Sequence, residues 1–179
     1  CDLTGAKLDN ANFFGADMQD AVLADASLRR ADLRGACLRG ADLSGADLFE
    51  ADLREGAIAS ADADKGYRIV EARSRDLDDV TQAHGACLVG ANLQRSKMAG
   101  VIAIRADFTD AVMKDCKLVR ANLKQASFRG ADLAGADLSG ADLSGADLRD
   151  AVLVGVTAAL WRTDGANRSE EHTSELQSP

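Results

Sequence analysis

Apolar positions recur along this chain every five residues. In "GADLAGADLSGADLSGADLRDA" (130–151) Leu is fixed, Ala stands two before it and Asp one before it. On an α-helix five residues advance about 500°, so successive leucines drift by about 140° and ring the helix instead of forming a stripe. A straight strand fails as well, because five is odd and side chains alternate between faces. Within one repeat, however, Ala and Leu are two apart and point the same way. One bend per repeat restores that direction, and the Gly common two after Leu suits a bend. The pattern therefore predicts a β-solenoid lined by Ala and Leu, with Asp turned outward.

Repeat centres run from Leu3 to Ile58 and resume in the same phase from Leu88 to Ala158, 27 repeats in all. Leu fills 18 centres, and Ala fills 21 of the 27 slots two before the centre, which excludes a chance origin. Met18, Met98, Met113, Phe13, Phe108 and Phe128 take other centres. The segments "ADLRG", "ADLSG", "ANLQR" and "ANLKQ" resemble the pentapeptide-repeat family, whose motif is A(D/N)LXX. The resemblance covers residues 1–158 apart from one interruption. It implies an all-β fold, a right-handed quadrilateral (four-sided) parallel β-helix with four repeats per coil, about seven coils and one inserted loop. Coils at the inter-strand spacing would make a rod of about 34 Å.

The interruption is residues 64–85, "DKGYRIVEARSRDLDDVTQAHG". In phase, its centres would be Arg68, Arg73, Asp78 and Ala83, which cannot line an apolar core. "RDLDDVTQAH" reads as a short helix capped by Ser74 or Asp76. Functional residues concentrate on loops, so the candidate interaction loop comprises Lys65, Tyr67, Arg68, Ile69, Arg73, Arg75, Asp78, Asp79 and His84; a tolerated corner insertion is the plainer reading. For the register, "ADADK" can supply one more repeat with Ala63 as its centre, which stacks Leu88 on Leu48. Should Ala63 leave the wall, Leu88 stacks on Leu43; a degenerate coil within the loop would instead set it on Arg68.

Both ends carry expectations of their own. The chain opens in mid-motif at Cys1 and reads as a piece of a longer protein. "AALWRT" (158–163) is expected to lie against the last coil with Trp161 over its apolar end, so 159–167 is a capping segment or the start of further sequence. Residues 168–178, "RSEEHTSELQS", resemble a translated sequencing adapter, and 168–179 is set aside as a non-native tail.

Composition changes this picture little. The chain is 46% apolar with 4% aromatic residues, and no apolar run is long enough for a membrane helix. Cys1, Cys37, Cys87 and Cys116 lack metal-ligand spacing; Cys1 and Cys116 hold inward slots, Cys37 and Cys87 outward ones. Reduced thiols point to a cytoplasmic protein, by expectation bacterial. No nucleophile elbow, P-loop or dinucleotide fingerprint occurs, and the recurring Asp is a by-product of the repeat, so neither catalysis nor a cofactor or metal is expected.

Net charge is −8, distributed as −5 over 1–58, −2 over 59–85, +1 over 86–158 and −2 over 159–179. Some relatives implied by the resemblance act on DNA gyrase, and an acidic rod can imitate DNA. Here Asp32 should stack on Asp52 and Asp42 on Asp62, yet Arg34 and Arg54 stand beside the first pair. Lys114, Lys117, Arg120, Lys124 and Arg129 fall on different sides of a four-sided coil without interleaved aromatics, which argues against nucleic-acid binding. The resulting reading is a non-catalytic protein-interaction or scaffold module with protein partners, able to associate through its ends. The alternative is a DNA-mimicking modulator of DNA gyrase.

Overall fold

In the computed structural model, residues 1–54, 58–62, 66–70 and 85–167 are described. Residues 1–54 and 85–167 form a right-handed quadrilateral β-helix. Parallel bridges join residues twenty apart, as in Asp2–Val22, Lys7–Ser27, Asn12–Asp32 and Asp17–Cys37, so four repeats close one coil. The first face carries the centres Leu3, Leu23 and Leu43, the second Leu8, Leu28 and Leu48, the third Phe13, Leu33 and Leu53, and the fourth Met18 and Leu38.

Each repeat ends in a turn in which the centre carbonyl accepts from the N–H three residues on, as from Ala6 to Leu3 at 3.0 Å. The residue two after the centre is left-handed, at φ values such as 65° for Gly45 and 58° for Glu50, as a type II turn requires. Glycine is not obligatory there, since Arg30, Asp110 and Gln125 adopt the same conformation. Gly40 is constrained by a neighbour as well: a Cβ there would run into the Asp20 carboxylate one coil earlier.

Backbone accounting explains the Asp or Asn of the motif. Of the five N–H groups in a repeat, the centre's donates to the next coil (Leu23 to the Asp42 carbonyl, 2.7 Å), the preceding residue's to the previous coil (Asp42 to Ala21, 2.9 Å), and the corner residue's to the next coil (Asp25 to Ser44, 2.8 Å). The Ala N–H closes the turn. That leaves the N–H one past the centre, and the Asp or Asn side chain accepts it: Asp42 from Ser44 at 3.0 Å, Asn92 from Gln94 at 3.1 Å, Asp142 from Ser144 at 3.1 Å. These Asp side chains are consequently half-buried and hold the turn, where the sequence had placed them simply outward. Asn122 departs from the pattern, its Oδ1 being buried without a partner. Asp142→Ala should cost about 1 kcal/mol in urea unfolding and Asp142→Asn much less; equal losses would show that the side-chain bond is not what matters.

Ala and the centre residue line the core as expected. Leu133, Leu138, Leu143 and Leu148 are all at 0% exposure, as are Ala131, Ala136, Ala141 and Ala146. Leu3, Leu8 and Phe13, with a coil on one side only, are half-buried. Cys1 is exposed for the same reason, although its slot is the inward one, and Cys116 is buried. Cys37, expected outward, is buried at the fourth face beside the insertion, while Cys87 is half-buried.

The register across the insertion differs from the one favoured on sequence. Asp42 bridges Cys87, Asp47 bridges Asn92 and Asp52 bridges Lys97. The Leu43 N–H donates to the Cys87 carbonyl at 2.7 Å, so Leu88 follows Leu43 on the first face and not Leu48. Ile58 is no wall centre. It opens strand β1 (Ile58–Asp62), which pairs antiparallel with β2 (Gly66–Val70), Ile58 opposite Val70 and Asp62 opposite Gly66. The chain thus leaves the ladder after the third face, and one side of one coil is where the insertion departs. At the return, Gly85 already has the wall geometry, with φ 66° and its N–H on the Ile104 carbonyl at 3.3 Å. The helix expected from "RDLDDVTQAH" lies outside the described residues.

At the other end the coil continues where a cap was expected. Thr157 bridges Asp137, Arg162 bridges Asp142 and Asn167 bridges Asp147. Trp161 is partly buried against the core, but it sits in the Ala slot of a further rung instead of lying across the end. Residues 168–179 lie outside the described residues.

Candidate interaction surface

The residues singled out in the insertion divide into two sets. Tyr67, Arg68 and Ile69 stand on β2, opposite Ala61, Ser60 and Ala59 of β1. Lys65, Arg73, Arg75, Asp78, Asp79 and His84 lie outside the described residues. A cavity of about 30 Å³ lies in the core near the insertion, between Leu38, Leu53, Leu88 and Ala103. It has room for one water molecule and is too small for a ligand. Among the described residues no group of His, Cys, Asp and Glu could hold a metal ion, and no helix is long and apolar enough to cross a membrane.

Stacking by twenty residues, or by forty-five across the insertion, assembles a feature invisible in the linear sequence. At the corner between the second and third faces, Arg30, Glu50 and Arg95 stand on successive coils. Arg30 Nε donates to Glu50 Oε2 at 3.0 Å, and Arg95 Nη2 lies 3.2 Å from Glu50 Oε1. Just beyond the corner, Arg34 grips Asp32 through Nε (2.7 Å) and Nη2 (2.6 Å), and Arg54 grips Asp52 likewise (2.9 and 2.6 Å). Lys97 follows Asp52 on the next coil. Together these side chains edge an open groove of about 490 Å³. On the second face Phe49 lies under two guanidinium groups, Arg29 at 4.7 Å and Arg95 at 5.9 Å from the ring centroid. Arg34 covers the exposed Phe14 ring at 5.4 Å.

The electrostatics follow from these bonds. The hydrogen bond from Arg34 holds the Asp32 carboxyl below its ordinary range and raises the Arg34 guanidinium. Arg30, with Arg95 beside it, does the same for Glu50. For Asp52 burial works to raise the pKa, but the bonds from Arg54 and the charge of Lys97 outweigh it and the net shift is downward. Elsewhere Asp42 and Asp137 are lowered by their turn bonds against burial, and at Asp142 a larger effect of burial is outweighed by the bonds from Ser144 together with Lys124. Carboxylates depressed in the folded state stabilise it above their unfolded pKa, near 3.8 for Asp, and lose that contribution as pH falls through the folded values. The melting temperature should therefore hold level from neutral pH to about 5 and drop steeply below about 4. A level profile down to pH 2 would contradict the turn-capping role.

The charge columns also bear on DNA mimicry. Asp32 and Asp52 do stack, but each is held by the Arg of its own repeat and the column continues as Lys97 and Lys117. Asp42 is followed by Cys87, and the expected Asp42–Asp62 pair does not form, because Asp62 faces Gly66 in the hairpin. Among the described Asp slots, only Asp32 and Asp52 place carboxylates on successive coils. No continuous acidic stripe results. The basic residues of the second block are dispersed around the coil, Lys114 reaching Asp132 at 3.0 Å and Lys124 reaching Asp142 at 3.4 Å on different faces.

The family described as Pentapeptide repeats matches this chain in eight copies, over residues 1–35, 26–58, 86–125 and 116–155. Among solved structures, HetL, a pentapeptide repeat protein involved in heterocyst differentiation regulation from the cyanobacterium Nostoc sp. strain PCC 7120, is 26% identical over 93% of this chain and 86% of that one, with a TM-score of 0.28. A trypsin-treated form of QnrB1, a plasmid-mediated fluoroquinolone resistance protein, is 14% identical over 95% and 90%, with a TM-score of 0.40. A pentapeptide repeat protein from the Arabidopsis thaliana thylakoid lumen is 23% identical over 76% and 68%, with a TM-score of 0.28. No curated protein matches the chain.

Proposed function

Because the chain belongs to the pentapeptide-repeat family, we infer that it is a non-catalytic protein-interaction or scaffold module. The observation that carries this reading is the use of its polar groups. Asp and Asn side chains cap turns, and Arg and Lys pair with carboxylates within a repeat or across coils. What remains is a stiff rod with flat, preorganised faces, suited to docking a partner at little cost in side-chain order. Four free cysteines fit a reducing compartment, the bacterial cytoplasm of the sequence-based expectation.

Affinity capture from bacterial lysate, followed by calorimetry with the recovered protein after purification, tests this reading. A saturable complex is expected, and a chain that retains no protein overturns it. The broken acidic columns do not favour DNA mimicry. Adding the chain to a DNA gyrase supercoiling assay should accordingly leave the rate unchanged, with or without quinolone; inhibition or protection would restore the gyrase reading.

A further inference from the structure

If the chain is an interaction module, as inferred above, the corner between the second and third faces narrows the chemistry of its partner. The cations there are the outer layer. Arg30 and Arg95 have side chains 64% and 59% exposed, against 25% for the Glu50 they share. Arg54 is 46% exposed, against 18% for Asp52 beneath it. The carboxylates form the floor and are saturated by the arginines of the rim. The arginines are not saturated in return: Arg30 engages Glu50 through Nε and Arg95 through Nη2, while a guanidinium carries five N–H donors.

The groove is lined by Arg30, Arg34, Arg95 and Lys97 against Asp32, Glu50 and Asp52, a local excess of +1 in a chain of net −8. Phe49 and Phe14 lie under the guanidinium groups and hold them in place. Arginine beside an aromatic ring is the composition of an interface hot spot. The groove spans three coils, roughly 10 Å along the rod. That suits a short peptide segment, whereas a nucleic-acid backbone would continue onto a surface of like, negative net charge that repels it.

We propose that this corner docks an acidic peptide segment of a protein partner, its carboxylates taken by the outward N–H groups of Arg30, Arg34 and Arg95 and by the Lys97 ammonium. Panning a random linear peptide library against the immobilised chain tests it. The recovered peptides are expected to be enriched in Asp and Glu and to weaken as salt is raised. They should lose about tenfold or more in affinity for the Arg30→Gln/Arg95→Gln pair, while Arg105→Gln/Lys124→Gln, at the corner that follows the fourth face, changes little. Arg30→Lys/Arg95→Lys keeps the charge but not the fork geometry and should fall between, and circular dichroism of all variants confirms the fold. Peptides without acidic enrichment, or equally tight on the Gln pair, overturn the proposal and leave the interaction reading standing. A mixed-sequence single-stranded oligonucleotide that displaces the acidic peptides at lower concentration overturns it in favour of nucleic acid. A library that yields no binder at all counts against both readings.

Discussion

Replacing Leu43 by Asp unfolds the solenoid around its seam, at a cost of at least about 4 kcal/mol. Leu43 is fully buried on the first face, with Leu23 one coil before it and Leu88 one coil after. An aspartate there has no cationic or hydrogen-bonding partner among these leucines, so it must either carry an unpaired charge into the core or bind a proton. Leu43 is also the last first-face rung before the insertion, and its N–H reaches the first rung after it, at the Cys87 carbonyl. A solenoid is held together by nearest-neighbour contacts between coils. The damage should therefore uncouple residues 1–54 from 85–167 as well as lower total stability. In urea unfolding followed by circular dichroism, the expected result is a single transition for the native chain and an early loss of part of the signal for the variant. Leu43→Met, close in volume, should cost less than about 1.5 kcal/mol. A Leu43→Asp chain that melts like the native one would refute the buried register.

Truncating Phe128 to Ala should cost about 3–5 kcal/mol. Phe108 and Phe128 occupy adjacent first-face centres, with ring centroids 5.0 Å apart and planes within 5°. Both are at 0% exposure. Leu88 precedes them in the column and Leu148 follows, so an alanine leaves a void between side chains held rigidly by the backbone ladder. The wall cannot collapse into it without breaking parallel hydrogen bonds, which places the loss toward the upper end of the range. Phe128→Leu fits the neighbouring leucines and should cost far less. A double-mutant cycle on Phe108 and Phe128 should return a coupling of about 0.5–1.5 kcal/mol for the ring pair. Additive losses would show that the rings act only through the volume each fills.

The candidate surface was not legible in the sequence for a definite reason. Arg30 and Glu50 stand one coil apart by the twenty-residue rule, but Arg95 joins them only because Asp47 bridges Asn92 and Asp52 bridges Lys97 across the insertion. Had Leu88 stacked on Leu48, Asn92 would have followed Asp52 and the groove would not exist. The turn-capping role of Asp was hidden for a different reason. A half-buried acceptor and a solvated charge leave the same letter in a repeat, and only an account of every backbone N–H separates them.

By itself the sequence determined the coil and the set of residues inside it. A five-residue beat with Ala and Leu two apart fits neither helix nor flat sheet, and any inward run of that kind must bend once per repeat, as the left-handed corners from Gly5 to Gly165 do. The tertiary structure alone decided which face each later residue joins. Phase in fives fixes whether a side chain points inward, but faces recur only every four repeats, so an insertion of a multiple of five that is not a multiple of twenty preserves the pattern while moving every later residue to another face. The chain resolves that freedom by closure. It leaves after the third face, pairs β1 with β2, and returns at Gly85 to the first face, so that the ladder spans the break with Leu43, Leu48 and Leu53 donating to Cys87, Asn92 and Lys97.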